Sequence, residues 1–348
     1  MIDMLRRHPF SLAFVAALFG FFYLSSSDDR KIEQFSGLTM GTSYQLQLAH
    51  IPPQLSLSEI EIVVTELLFK MDKLIFSTYA EDSELSRLNR HPLDLPMSVS
   101  DDLFAVLEMA QAISAQTGGA FDVTIGPLVN LWGFGSDYSV LPQVPAQELI
   151  AAAKSRVGFA NIELNKSTLE VTKRKPVTID LSAIAKGYAV DQLAAYFDRQ
   201  GSTSYFLEVG GELIMKGFKP GGSSWVPAIE APLNTDSQIY EVFFSRGQQI
   251  AVAGSGDYRN YFEQDGVRYS HEIDPRTGYP VTHTLAAAYV IDESTAIADA
   301  LATSYMILGY DEARRLAEST NQAAYFIYKQ EGGFADYATP SFAEYLER

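Results

Sequence analysis

Cysteine is absent from this chain of 348 residues. Its absence excludes a disulfide-bonded scaffold, a cysteine-ligated zinc or iron–sulfur site, and a thiol nucleophile. Basic residues are also few: 26 Lys and Arg face 43 Asp and Glu, which leaves a net charge of −17. A chain this acidic, without a basic stripe, is not expected to bind nucleic acid. The glycine patterns GxGxxG and GxxxxGK[ST] are missing as well, so no Rossmann or P-loop nucleotide site is predicted.

The amino-terminal segment differs in kind from the rest of the chain. Two arginines precede an apolar run over about 9–24, and small polar and acidic residues follow it. This pattern predicts an export signal or a short signal anchor, with the body of the chain on the non-cytoplasmic side. Ser27 stands where a bacterial lipobox would carry its lipidated cysteine, so an uncleaved anchor is preferred. Residues 1–34 are predicted to be anchor and linker, followed by one domain over 35–348.

The predicted domain shows no repeat and no low-complexity tract. Apolar periodicity and capping residues predict helices over 56–75, 100–117, 145–156, 185–200, 293–308 and 310–320. Alternating and β-branched runs predict strands over 43–49, 168–172, 177–181, 205–209, 212–217, 240–244, 250–254, 258–263, 286–291 and 323–328. Because the strands between 205 and 291 follow each other without long helices, we predict an α+β fold with a largely antiparallel sheet and flanking helices.

The helix predicted over 294–309 contains an unusual carboxylate. Its residues are small or apolar around the whole circumference, which indicates burial. Asp299 nevertheless lies mid-helix, and Thr303 follows one turn later on the same face. A buried carboxylate is costly unless it is paired or binds a metal. Two hard oxygens at this spacing fit Mg²⁺, and a buried ion pair with Lys or Arg fits the helix equally well.

Three other segments carry candidate ligand-binding residues. A strand-like run ends at Asp180 and leads into a helix with Lys186 in its first turn, where a phosphate group could bind. A solvated lysine in an ordinary turn is the alternative. Paired glycines in 117–135 allow a ligand to approach the backbone. The aromatic residues there could flank a planar ring, although Trp132 and Phe134 are more simply core residues. His271, ahead of the polar turn in 270–281, is open to a structural or a catalytic role.

Seven short motifs, in this order, resemble those of the ApbE family, bacterial FAD:protein FMN transferases. They are LTMGTSY (38–44), FSTYAEDSELSRLN (76–89), GGAFDVTIGPLVNLWGFG (118–135), IDLSAIAKGYAVD (179–191), EVGGEL (208–213), HEIDPRTGYPV (271–281) and AIADALAT (296–303). The resemblance covers the chain from Leu38 to about Gly309. It implies a single domain of the ApbE or T-fold-like type, dependence on Mg²⁺, and export.

The resemblance also implies a site, position by position. The residues that match the family's FAD contacts are Met40, Tyr79, Ala120, Phe121, Asp122, Asp180, Lys186, His271 and Ile273. Asp299 and Thr303 match its metal ligands, and Ala183 contributes a backbone carbonyl. A metal on Asp299 would explain the burial of that carboxylate. His271 is the expected general base.

The reaction that the resemblance implies is Mg²⁺-dependent transfer of FMN from FAD to a Ser or Thr hydroxyl of an acceptor protein, with release of AMP. Acceptors in the family include subunits of the sodium-translocating NADH:quinone reductase and of Rnf-type redox complexes. The implied location is the bacterial inner membrane, with the catalytic domain in the periplasm. Two alternatives stay open: an FAD pyrophosphatase that produces FMN and AMP, and a non-catalytic periplasmic flavin-binding protein.

Overall fold

A computed structural model of the chain describes residues 31–135, 141–233, 238–258 and 260–347. The apolar segment at 9–24 lies outside these residues, so the anchor and the domain boundary at residue 34 stay predictions. Within the described ranges, no helix combines the length and the apolar character needed to cross a membrane.

The strands of the described chain form one large sheet and three small ones. They are β1 (Glu33–Thr39), β2 (Thr42–Leu48), β3 (Met97–Ser98), β4 (Ile162–Asn165), β5 (Glu170–Lys173), β6 (Tyr205–Val209), β7 (Glu212–Gly217), β8 (Ala228–Glu230), β9 (Ile239–Val242), β10 (Gly247–Gly256), β11 (Tyr261–Gln264), β12 (Val267–Ser270), β13 (Leu285–Asp292), β14 (Ala323–Gln330) and β15 (Gly333–Ala338). The large sheet has the order β1-β2-β6-β7-β10-β13-β14-β15, and every neighbouring pair is antiparallel. The small sheets are β3-β5-β4, β8-β9 and β11-β12.

The helices flank the sheet or precede its strands. They are α1 (Leu57–Phe69), continued by a π-helical turn (Lys70–Phe76), α2 (Glu84–Arg90), α3 (Asp101–Gln116), α4 (Gly126–Leu131), α5 (Gln147–Lys154), a 3-10 turn (Phe159–Asn161), α6 (Ala185–Arg199), α7 (Thr295–Leu308), α8 (Tyr310–Ser319) and α9 (Pro340–Leu346). The central helix is α7, which packs on β10 and β13 and also against α6. This packing determines the position of Asp299, the one carboxylate on α7.

Both faces of the large sheet are covered, as the alternation of its buried residues requires. On β10, Ala251 and Ala253 belong to the core beneath α6 and α7, whereas Ile250 and Val252 belong to a second core on the other face. The second core also contains Phe342 of α9. Small residues on the α7 side of β10 let that helix lie close to the strand.

The predicted α+β class with a large antiparallel sheet is confirmed. The strand predicted over 177–181 is wrong, because this segment is extended but forms only an isolated bridge between Thr178 and Ile125. A side chain replaces the missing strand neighbour: Asn89 donates to the Ile179 carbonyl at 2.9 Å and accepts the Ile179 N–H at 2.7 Å. The strand predicted over 258–263 starts only at Tyr261.

The prediction of a continuous helix over 56–75 needs a smaller correction. The α-helix ends at Phe69, and the chain continues as the π-helical turn to Phe76. Elements shorter than the predicted ones were missed, among them α2, α4 and β8. Short elements give too few residues for a periodic pattern to be recognised.

The contact between α6 and α7 depends on one glycine and one aspartate. A Cβ on Gly187 would lie 2.7 Å from the Ala296 Cα, so only glycine allows this separation of the helices. Asp191, one turn later on α6, caps α7 by accepting the N–H groups of Thr295 and Ala296 at 2.7 and 3.0 Å and the Ser294 hydroxyl at 2.7 Å. Together these contacts fix the position of α7 along α6.

We predict that Asp191→Ala lowers the free energy of unfolding by about 2 kcal/mol, because the N–H groups of Thr295 and Ala296 lose their acceptor. Asp191→Asn keeps one acceptor oxygen and should lose less. Asp311→Ala is the matched control, since Asp311 lies exposed in the first turn of α8, and it should change stability by less than ~0.5 kcal/mol. Urea denaturation measures all three, and equal losses in the two Ala variants would contradict the capping role.

Candidate active site

A cavity of about 590 Å³ lies where β6, β7, β10 and α7 meet the loop ahead of α4, the start of α6 and the turn after β12. One part of its lining is aromatic: Phe134, Phe206, Phe243, Tyr258 and Tyr289. The other part is acidic or basic: Asp122, Asp180, Lys186, Glu208, Glu212, Glu230, Glu272 and Asp299. Such a combination suits a ligand with planar rings and charged groups.

Lys186 is shared by two buried carboxylates. Its Nζ lies 3.1 Å from Glu212 Oε1 and 3.6 Å from Asp299 Oδ2, and it donates to the Ser182 carbonyl at 3.2 Å. Asp299 Oδ2 also accepts the Gly187 N–H at 3.3 Å. The solvated-lysine alternative is therefore wrong, and the ion pair that the sequence left open for Asp299 is present.

Burial and mutual repulsion control protonation in this cluster. Burial opposes the charge on Lys186, but the carboxylates of Asp299 and Glu212 outweigh it and raise the pKa of the ammonium. Burial raises the pKa of the Glu212 carboxyl, against the attraction of Lys186 and with the repulsion of Asp299. Burial likewise raises the pKa of Asp299, again against the attraction of Lys186. Burial therefore favours a proton on at least one of the two acids, while Lys186 stays charged.

The hairpin between β6 and β7 brings a third acid, Glu208, to the cavity. Gly210 and Gly211 turn the chain with φ values of 63° and 105°, which favour glycine. A Cβ on Gly210 would lie 3.1 Å from the Lys186 Cδ, so the turn passes directly beside the lysine stem. Glu208 accepts the Gly211 N–H at 2.6 Å. Burial raises the pKa of Glu208 to about 7, although this hydrogen bond opposes the shift.

Asp122 lines the cavity, but both of its oxygens are used to hold the loop. Oδ1 accepts the N–H and the hydroxyl of Thr124 at 2.8 and 2.6 Å, and Oδ2 accepts the Phe159 N–H at 2.9 Å. The Thr124 hydroxyl oxygen in turn accepts the Gly158 N–H at 2.7 Å. Burial raises the pKa of Asp122, and these hydrogen bonds oppose it. The carboxylate therefore shapes the wall beside Ala120 and Phe121.

His271 directly follows β12 and lines the cavity on the side of the β11–β12 hairpin. Its backbone N–H and its Nδ1 both contact the Asn260 carbonyl, at 3.1 and 3.0 Å. Because a carbonyl only accepts, Nδ1 carries the proton in the neutral ring, and Nε2 is the basic nitrogen. Phe134 meets the imidazole edge-on with ring centroids 6.3 Å apart. Phe134 is therefore a cavity residue and not only a core aromatic, whereas Trp132 is fully buried, as expected.

Ten of the twelve predicted site residues line the cavity: Ala120, Phe121, Asp122, Asp180, Ala183, Lys186, His271, Ile273, Asp299 and Thr303. The two others, Met40 and Tyr79, do not. The Met40 N–H donates to Asp72 at 3.0 Å in the turn between β1 and β2. Tyr79 is 58% exposed and follows Thr78, which lines a smaller cavity of about 160 Å³ that shares Asp180 with the larger one. Their roles in FAD binding stay predictions.

Sequence reasoning missed several cavity residues. Glu208 and Glu212 flank the glycine pair of the EVGGEL motif, which signals a tight turn and could have pointed to both acids. Glu272 directly follows His271, yet no pattern separates it from a surface glutamate. Tyr258 follows β10, and Tyr289 lies on β13. These two strands are neighbours in the large sheet, which no local sequence pattern reveals.

The oxygen donors around Asp299 fit a hard divalent cation. Asp299, Thr303 and Ala183 face one cavity and offer a carboxylate, a hydroxyl and a backbone carbonyl, the ligand types of Mg²⁺. The contacts of Asp299 to Gly187 and Lys186 are long, at 3.3 and 3.6 Å, so its lone pairs are weakly used. Among the described residues, no three His, Asp or Glu side chains are grouped to hold a metal ion. A cation here would therefore need ligands from its substrate.

The fold and the cavity define an α+β ligand-binding protein whose site joins aromatic walls to a charged cluster. The chain belongs to the ApbE family, whose model matches residues 40–327. It is 40% identical to the FAD:protein FMN transferase of Vibrio cholerae over 315 residues, or 90% of this chain and 92% of that protein. It is 38% identical to the enzyme of the same name from Haemophilus influenzae, over 92% of this chain and 93% of that one.

Solved structures agree with this assignment. The apo form of the Pseudomonas stutzeri flavinyl transferase ApbE matches with a TM-score of 0.83 and 36% identity, covering 93% of this chain and 99% of that one. The flavin transferase ApbE of Vibrio cholerae also gives a TM-score of 0.83, at 38% identity. These values confirm the resemblance and the fold class.

The buried Glu208 leads to a prediction about pH. Its pKa of about 7 in the folded chain exceeds the ordinary value of 4.5, so its contribution to stability is complete below about pH 4.5 and is lost as the pH rises through 7. Glu208→Gln keeps an acceptor for Gly211 and removes the titration. The variant should therefore gain on the order of 2 kcal/mol relative to wild type between pH 5 and pH 8.

Urea denaturation at the two pH values measures this change. Glu61→Gln, at an exposed position of α1, is the control and should follow the wild type. If Glu208→Gln and Glu61→Gln behave alike, Glu208 is ionised in the folded chain at neutral pH and the burial argument is wrong.

Proposed function

We propose that this chain transfers FMN from FAD to a Ser or Thr hydroxyl of an acceptor protein, releasing AMP. The observation that carries the proposal is that ten residues predicted from separate motifs line one cavity. The relatives named FAD:protein FMN transferase, at 40% and 38% identity over nine-tenths of the chain, support it further.

The proposed reaction forms one bond and breaks another at the same phosphorus. The acceptor hydroxyl oxygen bonds to the phosphorus on the FMN side of the pyrophosphate. The bond from this phosphorus to the bridging oxygen breaks, and that oxygen leaves with AMP. The hydroxyl proton goes to His271 Nε2, the basic nitrogen of the ring. The product is FMN held on the acceptor by a phosphoester.

The cavity residues assist this displacement by charge and position. The Lys186 ammonium offsets the negative charge of the pyrophosphate, and Glu212 and Asp299 hold the ammonium in place. The aromatic side chains that line the cavity provide flat apolar surfaces for the flavin or adenine ring. His271 stands on a different segment, so base and phosphate-binding charge are positioned independently.

Asp299, Thr303 and the Ala183 carbonyl are the proposed ligands of Mg²⁺. When bound, Mg²⁺ would neutralise pyrophosphate charge and make the phosphorus more electrophilic. Ser255 Oγ lies 3.3 Å from Thr303 Oγ1 and orients this hydroxyl. The shared Lys186 would then be free to contact the phosphate oxygens.

The acceptor and the location belong to the same proposal. We propose that the acceptor is a subunit of a membrane redox complex of the sodium-translocating NADH:quinone reductase or Rnf type. Residues 9–24 would hold the chain at the bacterial inner membrane, with the catalytic domain in the periplasm. The apolar run behind two arginines and the family resemblance support this placement.

We predict that His271→Ala slows transfer by a factor of ~10²–10⁴ while FAD binding changes little, because it removes the base but no phosphate-binding charge. In-gel flavin fluorescence of the acceptor measures transfer, chromatography measures free FMN and AMP, and calorimetry measures FAD affinity. Free FMN without a labelled acceptor would identify a pyrophosphatase instead. FAD recovered unchanged with wild type would identify a binding protein. Transfer by His271→Ala at the wild-type rate would place the base elsewhere.

We predict that Asp299→Ala abolishes the response of transfer to added Mg²⁺ and weakens Mg²⁺ binding in calorimetry, because the only charged metal ligand is lost. The fold should persist, since Ala fits this small-residue helix and Lys186 keeps Glu212 as a partner. Thr303→Val should have the same effect more mildly, because a neutral hydroxyl is the weaker ligand. A fully active, Mg²⁺-responsive Asp299→Ala protein would leave Asp299 as an ion-pair residue only.

A further inference from the structure

Glu272 is a buried carboxylate in the cavity that the proposed mechanism leaves unused. Its side chain is 7% exposed, and its Oε1 lies 3.5 Å from His271 Nε2, on an imidazole that is 33% exposed. Among the described residues, His271 is the basic side chain placed within ion-pair distance of this carboxylate. Burying an ionised carboxylate without a partner is unfavourable, so the contact with His271 explains how Glu272 can be buried here.

The contact with Glu272 is made by Nε2, the nitrogen proposed to act as the base. Nδ1 of His271 is occupied, because its proton points to the Asn260 carbonyl at 3.0 Å. Nε2 is therefore the nitrogen that takes a proton, and it is also the one that faces Glu272. When Nε2 is protonated, the resulting imidazolium has a carboxylate beside it.

The backbone holds both residues in this relation. The His271 N–H donates to the Asn260 carbonyl at 3.1 Å. The Glu272 N–H donates to Ser270 Oγ at 3.2 Å, and the Glu272 carbonyl accepts the Val281 N–H at 2.9 Å. These contacts fix the backbone of both residues, and the Nδ1 contact to Asn260 fixes the orientation of the imidazole.

We propose that Glu272 is the carboxylate partner of the His271 base, a positioning residue that stabilises the imidazolium formed when Nε2 takes the acceptor's proton. The inference rests on the proposed function. In the balanced step, the hydroxyl proton moves to Nε2, the oxygen bonds to the FMN phosphorus, and the bridging oxygen leaves with AMP. Glu272 gains no bond and loses none, and the proton returns from Nε2 to solvent after AMP has left.

The charged groups around Glu272 determine how strongly its carboxylate can stabilise the His271 imidazolium. Burial raises the pKa of the Glu272 carboxyl; the charge of His271 opposes this shift, Asp257 and Asp299 reinforce it, and Lys186 opposes it. A charged His271 and an ionised Glu272 therefore favour each other. Glu272→Gln removes the anion and keeps the shape of the side chain.

The first measurement is an NMR titration of histidine-labelled protein, with the His271 signal assigned by its loss in His271→Asn. In Glu272→Gln the midpoint of the His271 titration should fall by about 0.5 to 1 pH unit, because an imidazolium without its anion is less stable. Glu263→Gln is the control: it makes the same change at an exposed position of β11, on the hairpin next to Asn260. Its midpoint should match the wild type.

The second measurement is the pH profile of FMN transfer. The acid limb should move to lower pH by the same amount in Glu272→Gln, and Glu263→Gln should leave it in place. Glu272→Leu removes the charge with an apolar side chain of similar length, and it should shift both measurements in the same direction. Glu272→Leu therefore gives an independent test if Glu272→Gln is destabilised and melts at a lower temperature.

An unchanged His271 midpoint in both Glu272 variants would overturn the proposal, whatever the activity. A lowered midpoint with an unmoved acid limb would also overturn it, because the rate would then not depend on this imidazole. The NMR titration requires neither FAD nor an acceptor. Failure of the proposed function, seen as a wild-type protein that leaves the acceptor without FMN, is therefore distinguished from failure of the Glu272 contact.

Discussion

The contact on which the site depends is the sharing of Lys186 by two buried carboxylates. Lys186 comes from α6, Glu212 from β7 and Asp299 from α7, so the cluster exists only while these three elements pack closely. Removing Lys186 would leave two buried carboxylates without their shared cation, which is strongly unfavourable. The close approach at Gly187 and the cap by Asp191 are the structural means of keeping these elements together.

The same cluster explains why the cavity is suited to a substrate with a pyrophosphate. Asp299 and Thr303 offer the hard oxygens that a divalent cation prefers. The lysine favours phosphate oxygens. His271 is supported separately, by the carbonyl that precedes β11 and by the backbone contacts of Glu272. Because the Lys186 cluster and His271 are held by different contacts, a substitution in one of them is expected to affect either substrate binding or the chemical step, and not both.

Much of the fold and of the site could be predicted from the sequence. The long helices and the antiparallel strands after residue 205 were correct in type, because periodicity is clear over many residues. The segment 177–181 looked like a strand, but Asn89 takes the hydrogen bonds that a neighbouring strand would have taken. Phe134 looked like a core residue because composition does not distinguish a cavity wall from a core.

The sequence by itself determined the residue types: a single acid in an apolar helix, a lysine at a helix start, a glycine pair between two glutamates, and motifs whose order indicates the family. Only the tertiary structure decided which of these groups meet. Lys186 and Asp299 are far apart in the chain yet lie 3.6 Å apart, and Glu272 turns out to be buried beside the basic nitrogen of His271. The physical reason is that charge pairing and burial depend on distances between elements, which the sheet order and the α6–α7 packing set and no local pattern contains.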